Sequence, residues 1–141
     1  MRLPDVNILV YAHREDSPHH TQALKWLEDL IDSDEAFAMS ELAFSGFLRI
    51  VTHPKIFNPP SSFKDALYFI QQIREQPNCI IVSPQERHWG IFTKLCNDAN
   101  AKGNLIPDAY HAALAIETGS EWISTDRDFS RFSGLRWSAP W

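Results

Sequence analysis

The chain has 141 residues, 44% hydrophobic and 22% charged, a length and balance that suit a single globular domain with its own core and leave little room for a second. Its 13 basic and 18 acidic residues give a net charge of −5, which argues against a protein that grips nucleic acid by bulk charge but not against an enzyme whose acids hold metal ions. Cys79 and Cys96 are too few for a disulfide scaffold and read as buried thiols of a reducing compartment; no signal peptide or membrane span is legible, so the expected location is the cytoplasm.

In chain order, short apolar runs alternate with longer amphipathic stretches, the pattern of an α/β fold with a mainly parallel sheet. The first strand reads over Arg2 to Val10. Ser17-Pro18 offers an N-cap and an N1 proline to a helix with Ala23, Leu24, Leu27, Leu30 and Ile31 at helical spacing. Ala36 to Met39 reads as a second strand, and Ser40 can cap a helix that turns Leu42, Phe47, Leu48 and Val51 inward. His53 to Ser62, with Pro54, Pro59 and Pro60, reads as a loop. Ser62 to Asp65 resembles a capping box opening a helix through Ile73, which Pro77 stops. Cys79 to Val82 is apolar throughout, as interior parallel strands are. Ser83-Pro84-Gln85-Glu86 is a second capping box, for a helix carrying Trp89, Phe92, Leu95 and Cys96 and ending near Lys102-Gly103. Pro107 sits in the first turn of an alanine-rich helix, Asp108 to Glu117, closed by Gly119. Trp122 to Thr125 is a fourth strand; an acidic turn, Asp126 to Phe132, and an extended piece around Leu135 to Trp137 follow.

Four acids stand out by position. Asp5 lies within the first strand as read, Glu41 opens the helix after the second, Asp108 lies in the first turn of the alanine-rich helix, and Asp126 directly follows the fourth strand. In an open parallel sheet, carboxyl strand ends and the helix starts that follow them gather along one edge. Glu41, Asp108 and Asp126 are therefore expected on one rim, and Asp5 joins them only if its strand ends early and Asn7 to Tyr11 already turns into helix. Clustered carboxylates raise one another's pKa unless a cation compensates. An oxygen-only ligand set favours Mg²⁺ or Mn²⁺ over zinc, and such ions work on phosphates, which points to a phosphodiesterase or nuclease. A first-turn acid alone is explained as well by the helix dipole; the joint placement carries the argument.

Asp5-Val6-Asn7-Ile8-Leu9-Val10-Tyr11-Ala12, Ser40-Glu41-Leu42, Gly103-Asn104-Leu105-Ile106-Pro107-Asp108-Ala109 and Ser124-Thr125-Asp126-Arg127-Asp128-Phe129 together resemble the PIN-domain ribonucleases, and more closely the VapC-type toxins of type II toxin–antitoxin modules. The similarity spans nearly the whole chain, with Phe47 to Pro54 and Phe132 to Trp137 matching a subgroup; Pro107 departs from the small or hydroxyl residue common there. The resemblance implies a single PIN domain over residues 1–141, a PIN-like α/β fold with a central parallel sheet of four to five strands flanked by helices. It also implies a Mg²⁺- or Mn²⁺-dependent endoribonuclease that hydrolyses RNA phosphodiester bonds with metal-activated water. By position, Asp5 and Asp108 match the central metal ligands, and Glu41 and Asp126 the other acids of a catalytic quartet. Thr125 matches a supporting hydroxyl, Asp128 an auxiliary ligand, and Asn7 a hydrogen-bonding neighbour of Asp5. The implied partners are an RNA substrate, a VapB-type antitoxin through which alone DNA is contacted, and a second copy in a homodimer that Ser62 to Ile73 could support; no membrane is involved. Two readings compete. An aspartate-dependent Mg phosphatase or phosphotransferase needs an Asp-x-Asp where this chain has Asp5-Val6-Asn7, and a catalytically inactive PIN-like binding module would lack acids that are present here.

The remaining polar and aromatic residues read more plainly. His19 and His20 point about 100° apart on a helix and cannot face one site, so they read as a solvated first turn. His111, three residues after Asp108, reads as a surface or supporting group, and Trp26, Trp89 and Trp122 as core. Arg49, Lys55, Arg127 and Arg131 are candidates for phosphate contacts.

Overall fold

The computed structural model describes residues 1–141. Its elements are β1 (Arg2–Pro4), α1 (Val6–His13), α2 (His20–Asp32), β2 (Phe37–Ser40), α3 (Glu41–Val51), α4 (Phe63–Arg74), β3 (Cys79–Val82), α5 (His88–Asp98), α6 (Leu105–Thr118), β4 (Glu121–Ile123), a 3₁₀ turn (Arg127–Arg131) and β5 (Trp137–Ser138).

Every strand pairing is parallel. β4 lies between β1 and β5, with Pro4 opposite Ile123 and Trp122 opposite Trp137. β2 pairs with β3 from Phe37–Cys79 to Ser40–Val82. β1 and β2 run side by side without a shared ladder, so the spatial order is β3-β2-β1-β4-β5. The chain builds outward from β1 on one side and then crosses to β4 on the other. The crevice at the carboxyl ends of β1 and β4 is therefore the topological switch point, where open α/β sheets bind ligands.

The sheet divides the interior into two cores, and β2 shows how. Phe37 and Met39 enter a cluster with Leu9, Leu27, Phe47 and Ile70 from α1 to α4, while Ala38 between them enters the other, with Leu95, Ala112, Ala113 and Trp122. That alternation is the two-residue period of a strand. The alanines of α6 let it lie close on its face of the sheet, and the helix ends where Gly119 takes φ 66°, a left-handed conformation that costs glycine little.

Several expectations are corrected. The first strand stops at Pro4, and the apolar run Val6–Val10 belongs to α1; a buried strand and a buried helix give the same unbroken run, and here the Asp5 carboxylate decides by capping the helix. α2 starts at His20 rather than at Ser17-Pro18: Ser17 Oγ accepts from the His19 N–H at 3.2 Å, closing a turn instead of capping the helix. The Ser83–Glu86 box does not form. α5 starts at His88, and Glu117 of α6 accepts from Gln85 N at 2.8 Å and Arg87 N at 2.9 Å, so a distant carboxylate supplies what Glu86 was expected to. β3 is an edge strand with Ile80 exposed, not an interior one. Leu42 and Trp89 face outward, Trp89 at 68% exposure, and both cysteines are free and only partly buried. Ser40 and Ser62 cap α3 and α4 as their sequences require, accepting from Ala43 N and Asp65 N. No helix is long and apolar enough to cross a membrane.

Candidate functional site

Asp5 is the first residue past β1 and the N-cap of α1. Its backbone N–H donates to Ile123 O at 2.8 Å, continuing the β1–β4 ladder by one bond, and its extended φ −70°, ψ 156° turns the chain into the helix. Oδ1 accepts from Val6 N at 2.7 Å and Oδ2 from Ser124 Oγ at 2.6 Å. Ser124 Oγ in turn accepts from Asp126 N at 3.0 Å. One fully buried serine thus ties the acid that follows β1 to the acid that follows β4. The Pro4–Ile123 register makes this unavoidable, since the next residue on each strand is Asp5 and Ser124.

Asp5, Asp108 and Asp126 line one cleft of about 360 Å³, with Asn7, Arg49 and His111 also on its wall. Gly46 on α3 narrows it: a Cβ there would sit 3.3 Å from Val6 Cγ2, so the glycine lets α3 approach the start of α1. Burial pushes the Asp5 carboxyl up to about 6, against the pull of its Ser124 and Val6 hydrogen bonds, and the charges of Asp108 and Asp126 raise it further. Asp108 is likewise raised to about 6 by burial and then by Asp126 and Asp128. Asp5 and Asp108 therefore sense the neighbouring carboxylates across the cleft. His111 moves the opposite way, to about 4, through burial and the nearby His88; its ring stacks on Trp122 at 5.3 Å and its buried Nδ1 has no hydrogen-bond partner. It adds no positive charge to the cleft at neutral pH.

The other residues singled out from the sequence fall elsewhere. Glu41 opens α3, but its side chain is 71% exposed and pairs with Arg74 at 3.2 Å. It lines a neighbouring groove that shares Leu42 with the cleft. Thr125 opens onto a different hollow, and the hydroxyl that supports the carboxylates is Ser124. Asp128 is exposed and gives its N–H to Asp126 Oδ1 at 2.9 Å. Asn7 lines the cleft without a hydrogen bond to Asp5. Ser124 is the hydroxyl that sequence reading passed over: nothing in the stretch Ser124-Thr125-Asp126 says which hydroxyl bonds Asp5 until β4 is registered against β1. The donor chemistry suits a hard divalent cation, with oxygen ligands alone and unbalanced negative charge. As the side chains stand, no three His, Cys, Asp or Glu groups converge on one point.

The PIN domain family matches residues 2–135. The ribonuclease VapC25 of Mycobacterium tuberculosis is 41% identical over 140 residues, covering 99% of both chains, and the ribonuclease VapC31 of the same organism is 39% identical over 140 residues with the same coverage. Among solved structures, VapBC2 from Rickettsia felis bound to a promoter DNA fragment superposes with a TM-score of 0.70 at 15% identity, over 98% of this chain and 97% of that one. M. tuberculosis VapC20, a sarcin–ricin loop cleaving toxin, gives 0.67 at 13% identity over 96% and 99%. At those identities the structural likeness speaks for the fold.

Proposed function

This chain belongs to the PIN domain family, and on that premise we propose that it is a VapC-type endoribonuclease toxin of a toxin–antitoxin module, cutting RNA at the cleft that holds Asp5, Asp108 and Asp126. The observation that carries this reading is the gathering of the three carboxylates at the switch point, with two of them raised to about 6. Such unbalanced charge is a disposition for Mg²⁺ or Mn²⁺, held by Asp5, Asp108 and Asp126 with Glu41 completing the quartet once it leaves Arg74. A divalent cation bound there supplies charge neutralisation at the scissile phosphate and polarises water for attack.

The chain's own residues do the rest. The Val6 N–H and the Ser124 hydroxyl fix the plane of the Asp5 carboxylate and leave lone pairs on both oxygens for the cleft. Asp126 is set by its backbone bond to Ser124 and by the Asp128 N–H on its Oδ1. Arg49 offers a guanidinium to a phosphate entering the cleft, the local basic group that a chain of net charge −5 requires. Neutral His111 leaves the negative potential of the carboxylates undiluted.

We read residues 1–141 as one domain whose partner is a VapB-type antitoxin, with DNA contacted only through that partner; VapBC neighbours support this. A homodimer through α4 fits the outward Phe63 and Tyr68 of that helix. The test is cleavage of RNA by the purified chain. Activity that needs Mg²⁺ or Mn²⁺, stops in EDTA and disappears in Asp5→Asn and Asp108→Asn with the fold retained is expected; cleavage at the wild-type rate in both variants overturns the reading.

A further inference from the structure

The residues on either side of Asp126 open onto a second hollow, of about 580 Å³, larger than the carboxylate cleft. Thr125, Arg127 and Ser130 line it from the turn after β4, Trp137 from β5, and His19 and Trp141 from outside the sheet. One side of it, Trp137, is fixed to the carboxylate cleft. Trp137 Nε1 donates to Ser124 O at 3.0 Å, and the hydroxyl of that same serine holds Asp5. The His19 ring lies 6.1 Å from that of Trp141, tilted by 34°, and is backed by Tyr11 at 5.0 Å. Trp141 is 42% exposed. Arg127, exposed on the turn, takes part in none of the four ion pairs of the structure.

Aromatic faces for stacking, an unpaired guanidinium for a phosphate and two hydroxyls for base edges or sugars are the components of a single-strand nucleotide site. A lipid or an apolar peptide would have no use for the arginine and hydroxyls. We propose that this hollow is a nucleotide subsite of the ribonuclease, resting on the function proposed above: a nucleotide flanking the scissile phosphodiester stacks its base on Trp141 beside His19, and Arg127 takes its phosphate. The shared serine fixes the spacing between the Trp137 wall of the hollow and the Asp5 carboxylate, which places the hollow beside the cut.

The test uses the full chain in EDTA, so that nothing is cleaved, and fluorescein-labelled single-stranded hexa-adenylate and hexa-uridylate RNA followed by anisotropy. Trp141→Ala weakens binding about tenfold, Trp141→Phe restores most of it, and Arg127→Gln weakens binding while flattening its salt dependence. Arg127 is exposed, so that variant keeps the test decisive if Trp141→Ala does not fold. Wild-type affinity in folded Trp141→Ala and Arg127→Gln overturns the subsite, and if sedimentation then shows self-association lost in Trp141→Ala, the hollow belongs to a protein contact. Neither result depends on the catalytic assignment, which fails separately if Asp5→Asn and Asp108→Asn still cut RNA.

Discussion

Two strand-to-helix junctions of this protein carry an acid and use it in opposite ways. At the β1–α1 junction Asp5, a residue 7% exposed, is itself the cap: its carboxylate folds back onto the Val6 N–H and is clamped by Ser124. At the β2–α3 junction Ser40 does the capping, and Glu41, one residue later, leaves the helix outward to meet Arg74. The difference of a single position decides whether a carboxylate is held over the crevice of the sheet or released to solvent. A residue chosen as a cap is committed to a fixed orientation by the backbone N–H it satisfies; a residue inside the first turn keeps its rotamers.

That contrast can be broken most severely at the cleft. Asp5→Asn or Asp108→Asn should lower RNA cleavage by more than about 100-fold, beyond the range typical for groups that act only through a ligand, whereas Glu41→Gln should cost less, because Glu41 starts from a pairing outside the cleft. Equal losses in a side-by-side rate measurement would show that Glu41 is as firmly placed as Asp5 when substrate and cation are bound. A second comparison sets the two adjacent hydroxyls against each other: Ser124→Ala should slow cleavage by about 10- to 100-fold by freeing Asp5 Oδ2, and Thr125→Ala, which leaves that bond intact, should reduce it less. The reverse order would restore Thr125 as the supporting hydroxyl.

The third test is thermal. With Asp5 titrating near 3.8 when unfolded and about 6 when folded, the native state holds the proton longer, so in EDTA the stability that this group contributes is fully present below about pH 4 and is lost as pH rises through about 6, on the order of 2–3 kcal/mol. Asp108 adds to the same slope. Asp5→Asn should therefore melt several degrees higher than the wild type at pH 8 in EDTA, and Mg²⁺ or Mn²⁺ should raise the wild-type melting temperature more than that of the variant. Buried His111, lowered to about 4, pulls the slope the other way below about pH 6.5, so the check is the difference between wild type and Asp5→Asn: a difference in melting temperature that does not grow from about pH 4 to 8 in EDTA would contradict the raised Asp5. The smallest effect is expected at the other junction: Arg74→Ala removes a largely exposed ion pair and should change stability by less than about 1 kcal/mol by denaturant melt, with cleavage undiminished.

Much of the architecture was legible because its signals are local. Ser40 and Ser62 cap the helices their sequences announce, Gly119 stops α6, and Cys79–Val82 is a strand with the predicted limits. The misreadings share a cause. Val6–Val10 has the composition of a buried strand and becomes a buried helix; Ser83–Glu86 has the form of a cap and yields to Glu117, thirty-odd residues downstream. The second is settled by that distant carboxylate, and the first by the adjacent Asp5 cap, which is itself held from afar by Ser124 across the β1–β4 register.

By itself the sequence determined the α/β class, the parallel alternation, three of the four acids at element junctions and the resemblance to the PIN-domain family, since these rest on residue order, periodicity and capping chemistry that operate within a few residues. Tertiary structure alone decided which of those acids meet. The β1–β4 register places Ser124 against Asp5, the crossover at β1 brings Asp108 and Asp126 to the same crevice, and the Ser40 cap turns Glu41 aside. Hydrogen-bond register and packing against distant elements fix those directions, and neither is written in the spacing of residues along one segment.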